Sequence, residues 1–218
     1  MSRLTGLWLG LLAAPAWALP PVSLSVGYSA QVFSARGYDF VAGHDHLQQL
    51  RVGAGYALPV WRGFLDLELA FASGSTHQWT HGAIETSFVM RGLEAGASFR
   101  LPVRTHFHPY LQVGAGWDWS TLTVGSQARL TQTVSAASGR AMVGAQIPFK
   151  LGPSDSKAPF LMFDLGLGYV VRPSAGFDAM APAQAAVSGE EPIARARTDL
   201  GTLPLSGIAY RVGVTFRL

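Results

Sequence analysis

The sequence predicts an all-β fold: an eight-stranded antiparallel transmembrane up-and-down β-barrel with long extracellular loops and short periplasmic turns. Three observations carry this reading. Of the 218 residues, 49% are hydrophobic and only 13% charged, against roughly 25% charged in an ordinary soluble domain. No apolar run approaches the ~20 residues that a spanning helix needs, because Asp, Glu, Arg, Gln or Gly interrupts each one. Instead, apolar and polar residues alternate with a period of two in segment after segment, the pattern of strands with one apolar face. Only helices and closed barrels satisfy every backbone group in lipid, so a membrane chain without spanning helices is expected to be a barrel.

The first element is a leader. Met1-Ser2-Arg3 precedes an apolar core from Leu4 to Leu12, and Ala13-Ala14-Pro15-Ala16-Trp17-Ala18 ends in the A-x-A form of a secretory cleavage site. Residues 1–18 are therefore expected to be a signal peptide and 19–218 the barrel domain. Export fits the absence of cysteine, which also excludes disulfides, thiolate catalysis and Cys-ligated zinc. The net charge of +3 and pI near 9.5 do not point to nucleic acid, because the 16 basic residues are scattered without a cluster.

The strands follow in order. Val22, Leu24, Val26, Tyr28, Ala30 and Val32 alternate with Ser23, Ser25, Gly27, Ser29 and Gln31. The same alternation recurs over Gln48 to Leu58, Phe64 to Ala72, Phe88 to Leu101, Tyr110 to Leu122, Arg140 to Ile147, Phe160 to Val171 and Gly207 to Leu218. Linkers after the odd strands are long: Phe33 to Leu47, Ser73 to Ser87, Thr123 to Gly139 and Arg172 to Ser206. Those after the even strands are shorter and carry proline: Pro59 to Gly63, Pro102 to Pro109 and Pro148 to Pro159. Outer-membrane barrels alternate long extracellular loops with short periplasmic turns. The order therefore predicts the bacterial outer membrane as the location, with both mature termini in the periplasm.

Charge placement separates inside from outside. The apolar set collects Tyr28, Tyr56, Phe71, Phe99, Trp117, Trp119, Phe163, Tyr169, Tyr210 and Phe216, as an outward aromatic girdle would. The opposite set carries Arg51, Asp66, Glu68, Glu94, Arg100, Asp118, Arg140, Asp164, Arg211 and Arg217, with Gln112 and Gln146. That predicts a lumen network of five acidic and five basic side chains. A soluble lipocalin-type barrel would invert the pattern. Arg91 alone breaks the outward rule, near the extracellular end of its strand, where an arginine can snorkel.

Glycine-aromatic strands recur as Val52-Gly-Ala-Gly-Tyr56, Val113-Gly-Ala-Gly-Trp117 and Leu165-Gly-Leu-Gly-Tyr169, and the sequence closes on Ala209-Tyr-Arg-Val-Gly-Val-Thr-Phe-Arg-Leu218. On these residues the chain resembles the small outer-membrane β-barrels that include the OmpA transmembrane domain and the opacity-type proteins. The resemblance implies contact with outer-membrane lipids and lipopolysaccharide, and recognition of the last strand by the barrel-assembly machinery. Family members usually end on Phe; here Phe216 stands two residues before Leu218. No periplasmic peptidoglycan-binding domain of the OmpA kind is expected.

Candidate chemistry is sparse. The glycine pairs Gly53/Gly55, Gly114/Gly116 and Gly166/Gly168 lie inside strands, where they relieve crowding instead of cradling phosphate. Because an eight-stranded barrel is only wide enough for side chains to fill it, the lumen charges read as a salt-bridged plug or as a gated narrow pore. The histidines fall into close pairs, and His44, His46 and His77 are placed to meet at the extracellular rim as a zinc or copper site. His106 and His108 lie at the other end. No catalytic residue and no cofactor is expected. The last linker reads as a mobile surface loop or as a segment that binds an extracellular ligand. Three functions follow: a structural or adhesive surface protein, a narrow channel for small solutes, or a lipid-modifying enzyme, the first being the reading the sequence favours.

Overall fold

A computed structural model of the chain describes residues 21–33, 45–80, 84–104, 106–125, 129–151, 160–178, 181–182 and 201–218. The segment read as a signal peptide lies outside these residues. Seven strands follow in order: β1 (Val22–Phe33), β2 (His46–Val60), β3 (Gly63–Thr80), β4 (Ile84–Arg100), β5 (His108–Val124), β6 (Leu130–Lys150) and β7 (Phe160–Val171). Three two-residue strands come next: β8 (Ala175–Gly176), β9 (Ala181–Pro182) and β10 (Thr202–Leu203), then β11 (Gly207–Arg217). Each long strand pairs antiparallel with its sequence neighbours, β7 pairs with β11, and β11 closes on β1 from Ser23 opposite Arg217 to Phe33 opposite Gly207. The result is a closed up-and-down barrel of eight strands with no unpaired edge along the seam.

Side chains alternate across this wall because a strand has period two. Leu67, Leu69 and Phe71 of β3 and Leu111, Val113 and Trp117 of β5 are exposed, Leu69 by 62%. Between them point Gln112 and Asp118, both about 2% exposed. Each aromatic assigned to the outer girdle is exposed or half-buried on the outer face. Leaving a Leu, Val or Phe side chain in water forgoes ~1.5–3 kcal/mol each. A continuous apolar outer belt around a polar interior is therefore the arrangement of a barrel solvated by hydrocarbon.

Four strands run further than apolar alternation alone predicts. The stretch Ser73 to Ser87, expected to be a loop, is paired strand on both sides, with Thr80 opposite Ile84. Thr123 to Gly139 likewise continues the β5 and β6 ladder up to Val124 opposite Leu130. Two of the predicted long loops are thus tall hairpins. Many outward residues there are Ser, Thr and His, with Trp79 and Val89 as apolar exceptions, so the apolar signal fades while the backbone ladder goes on. Cross-strand hydroxyl bonds replace apolar contacts: Thr121 to Thr133 at 2.8 Å and Thr123 to Thr131 at 3.2 Å.

The opposite end is tight. Val60 faces Gly63 across Trp61-Arg62, where Trp61 takes a left-handed φ of 53° and the Arg62 guanidinium covers its ring at 5.5 Å. Glycines on the inner wall make room for lumen side chains. A Cβ at Gly53 would stand 2.7 Å from Ser25 Oγ, and one at Gly166 would stand 2.6 Å from the Tyr110 hydroxyl.

The β7 to β11 connection departs most from expectation. The sequence predicts a surface loop or ligand-binding segment there, yet its two stems enter the barrel mouth. β8 pairs with β10, β9 adds to β6, and Phe177 N–H donates to the Gly201 carbonyl. Ala175, Phe177, Leu203 and Leu205 are at most 6% exposed and join Phe33, Leu47, Phe88, Met90 and Leu122 in one apolar cluster. Val124, Leu130 and Val134 pack against it. Burial of these side chains inside the mouth fixes the stems; residues 183–200 between them lie outside the described part.

Folded protein should resist SDS until heated and run at two mobilities on a gel. Gly166→Val, which drives a branched side chain at Tyr110, should lower the urea midpoint by the equivalent of ~1–3 kcal/mol.

Candidate functional site

Two places hold polar groups in unusual number: the lumen and the rim of the tall hairpins. In the lumen the strands aim carboxylates and guanidiniums at one another, some from neighbouring strands and some from strands that do not pair. Arg51 of β2 donates from Nη1 to Glu68 Oε1 at 2.7 Å, from Nη2 to Glu68 Oε2 at 2.9 Å and from Nε to Glu94 Oε2 at 2.9 Å. Arg140 of β6 reaches the other oxygen of Glu94. Glu68 also accepts from Ser25 at 2.8 Å and Gln112 at 3.3 Å. A layer of two cations and two anions thus spans the bore from β1 to β6.

Next to it, Arg211 of β11 donates to Asp164 at 2.9 Å, to Gln112 Oε1 at 2.7 Å and to the Tyr110 hydroxyl at 2.8 Å. Gln146 and Tyr110 complete the shell of Asp164 at 3.0 Å each. Towards the end that holds Ser23 and Arg217, Asp66 takes Arg100 Nε at 2.8 Å and Arg217 Nη2 at 2.7 Å. Arg100 in turn donates to His108 Nδ1 at 3.1 Å and lies over the Phe64 ring. Each of the ten charged lumen residues named from sequence has its side chain on the inner wall and in an ion pair.

The structure adds one lumen cation. The alternation places Arg172 in the last linker, but its side chain turns inward beneath the apolar cap. There it donates to Asp118 at 2.6 Å and also bonds Gln31 Oε1. Ser206, at the far stem, exchanges hydrogen bonds with the Arg172 backbone at 2.9 Å each way. The five-against-five balance is therefore corrected to six arginines and five carboxylates among the described residues. The available signal was phase: Arg172 follows Val170 by two, so it continues the inward face of β7.

At the rim, His44 lies outside the described residues. His46 and His77 stand on the outer faces of β2 and β3, beyond Gln49 opposite Gly74, where the β2 to β3 ladder begins. His46 Nε2 shares a hydrogen bond with Gln48 Nε2 at 3.1 Å. His77 Nδ1 faces Glu85 at 3.4 Å and its ring meets Trp79 edge-on. Glu85 also holds Arg129 at 3.1 Å, so a small charged cluster crowns the tall hairpins beside the 55% exposed Trp79. Among the described residues no group of three or more His, Asp or Glu is arranged to hold a metal.

Arg51→Met would leave Glu68 and Glu94 with one fewer cation in a buried setting, at a cost of ~3–5 kcal/mol. Equilibrium urea unfolding in vesicles should show that loss, and the double variant Arg51→Met with Glu68→Gln should recover part of it.

No protein-family model matches the chain, and comparison with curated proteins gives no match. Solved structures do match in fold. One is Ail, the attachment invasion locus protein of Yersinia pestis, in complex with the heparin analogue sucrose octasulfate. It is 14% identical over 92% of this chain and 100% of that chain, with a TM-score of 0.50. Another is Neisserial surface protein A, NspA, 13% identical over 90% of this chain and 96% of that chain, also with a TM-score of 0.50. At these identities the likeness is one of fold, and the fold is the closed eight-stranded antiparallel β-barrel of small outer-membrane proteins.

Proposed function

We propose that the chain is an integral outer-membrane protein whose barrel serves as a closed anchor, with a surface-interaction role at its extracellular end and no enzymatic activity. The observation that carries this reading is the double closure of the bore: an ion-paired polar lumen beneath an apolar cap. Opening a path through the barrel would require breaking buried ion pairs below and exposing Phe177, Leu203 and Leu205 above. The tall β3 to β6 hairpins and the cap lie at the end opposite Ser23 and Arg217. In this reading that end faces outward and both mature termini face the periplasm.

The belt would contact lipid, and on the tall strands the outward residues become more polar past Phe71 of β3, Leu93 of β4, Trp119 of β5 and Ala137 of β6, where Ser73, Arg91, Thr121 and Ser135 follow. Arg91 then sits where lipopolysaccharide headgroups begin, flanked by Ser73 and Trp119 across the ladder. The C-terminal strand would serve the barrel-assembly machinery as its recognition element. Adhesion is consistent with the likeness in fold to Ail, the attachment invasion locus protein of Yersinia pestis, and rigid scaffolds commonly carry recognition on their connections.

In planar bilayers the purified barrel should show no steady single-channel conductance; reproducible unitary steps would favour a narrow channel instead. Because the stems of the β7 to β11 connection are buried, the adhesive test should spare them. Replacing 183–200 with a short Gly-Ser linker should abolish attachment of expressing cells to a surface or host-cell layer while the heat-dependent gel shift persists. Unchanged attachment would move the interaction to the tall hairpins.

A further inference from the structure

Above the belt, the outward residues of β3, β4, β5 and β6 fall into level rows, because the ladder pairs them one to one. The lowest row is Ser73, Arg91, Trp119 and Ser135. Above it lie Ser75, Val89, Thr121 and Thr133, then His77, Ser87, Thr123 and Thr131. At the top Trp79 stands opposite Glu85, which holds Arg129 at 3.1 Å. With ~7 Å between rows and ~5 Å between strands, this face measures ~20 Å by ~15 Å. It belongs to one side of the barrel, since β7 ends at Val171 and β11 begins at Gly207, where the outward Val171 and Ile208 are still apolar.

From the belt upwards the chemistry of the face changes in a definite order. Leu93 and Trp117 belong to the apolar belt. Arg91 stands two positions above Leu93, exposed and in no ion pair among the described residues. A guanidinium at that boundary offers its planar fork to a phosphate, and the Trp119 ring beside it suits the same boundary. The next two rows carry Ser or Thr on all three strands β4 to β6 except at Val89. Thr121 with Thr133 and Thr123 with Thr131 share one hydrogen in each pair, which leaves each pair a second hydrogen and spare lone pairs to offer outward. Glu85 is the face's one carboxylate among the described residues, and Arg129 and His77 already flank it, so an anionic ligand meets little repulsion. Glu85, Ser87, Thr123, Gly125 and Arg129 line an open hollow of about 150 Å³ near Trp79, which is 55% exposed. Hydroxyl groups beside a flat aromatic ring suit a sugar, which has polar edges and an apolar C–H face.

We propose that this face binds one phosphorylated glycolipid from the side: acyl chains on the belt, a phosphate on Arg91, and sugars along the hydroxyl rows up to Trp79. In the outer leaflet that chemistry is lipopolysaccharide. The three parts must come in this order on one molecule; a phospholipid or a free oligosaccharide matches only part of the face. The proposal rests on the outer-membrane reading above and deepens it, giving the lipid contact a position and a composition.

Native mass spectrometry of the purified full chain in detergent tests it, with lipopolysaccharide lacking its O-antigen as the probe. One glycolipid retained per barrel is expected. The same lipopolysaccharide stripped of its phosphates, phosphatidylglycerol, and the delipidated core oligosaccharide should each bind about tenfold more weakly or worse. Arg91→Gln and Trp79→Ala should each weaken retention by about tenfold, the equivalent of one charge-assisted hydrogen bond or one stacking contact. Arg91→Gln should also lose the distinction between the phosphorylated and the stripped glycolipid. Arg62→Gln, in the turn at the other end, should change nothing.

Phosphatidylglycerol retained as well as lipopolysaccharide would mark an ordinary lipid annulus and overturn the proposal. Core oligosaccharide bound as tightly as the whole glycolipid would overturn it too, in favour of a surface for soluble glycans. Undiminished retention by Arg91→Gln that still shows the heat-dependent gel shift would do the same. Should a variant not fold, the four probes on the natural sequence decide alone. Conductance and cell attachment are not read here, so failure leaves the closed-anchor reading standing, whereas a natural chain with no gel shift would fail that reading first.

Discussion

The guanidinium of Arg51 lies between carboxylates from two other strands, Glu68 and Glu94, and uses three of its nitrogen atoms to hold them. A barrel with an apolar outer face has nowhere but its bore to place polar side chains, and the bore of eight strands is too narrow for bulk water to solvate them. Every charge inside must find its partner within the lumen. Arg51–Glu68, Arg100–Asp66 and Arg211–Asp164 join neighbouring strands, whereas Arg51–Glu94, Arg140–Glu94, Arg172–Asp118 and Arg217–Asp66 link strands that do not pair, so the contacts that satisfy the charges also brace the wall. Glycine at Gly53 and Gly166 belongs to this constraint, since the network needs the space a Cβ would fill.

The barrel therefore has two interiors of opposite character. Below, ion pairs and hydrogen bonds fill the bore. Above, where the wall rises past the outer belt, the inward residues Phe33, Leu47, Phe88, Met90 and Leu122 meet stems of the β7 to β11 connection and make an ordinary dry core. Arg172 and Asp118 sit just beneath that cap, a charge pair with polar company on one side and hydrocarbon on the other. Such a stack seals the bore by two unlike means, so loss of one would leave the other.

Most of the wall was legible because period two is imposed by backbone geometry and the two faces meet such different surroundings. Lumen charges could be named for the same reason: in Leu65 to Phe71 only the even positions carry Asp66 and Glu68. The upper third was hidden because many of its outward residues are hydroxyl-bearing. Ser73, Ser75, Thr121 and Thr133 alternate with little change in polarity, so an apolarity count sees a loop where the ladder continues. The cap was hidden differently. Phe177, Leu203 and Leu205 are isolated apolar residues in an Ala- and Pro-rich stretch, and only their meeting in space makes them a core. A trace remained in Phe88-Val89-Met90, where both faces of a strand are apolar and a second dry surface must therefore exist.

The seam between β1 and β11 differs from the other pairings in one respect, for it joins strands from the two ends of the sequence, whereas the other long strands pair with their neighbours along the chain. Hairpins made of local contacts form early, and a pairing that must close nearly the whole chain into a ring waits for them. Arg217 stands at the foot of that seam, opposite Ser23, and its bond to Asp66 reaches from the last strand to the third. The bond exists only in a finished ring, so its formation marks the moment at which an open, sticky sheet becomes a particle with no edge left to pair with a neighbour.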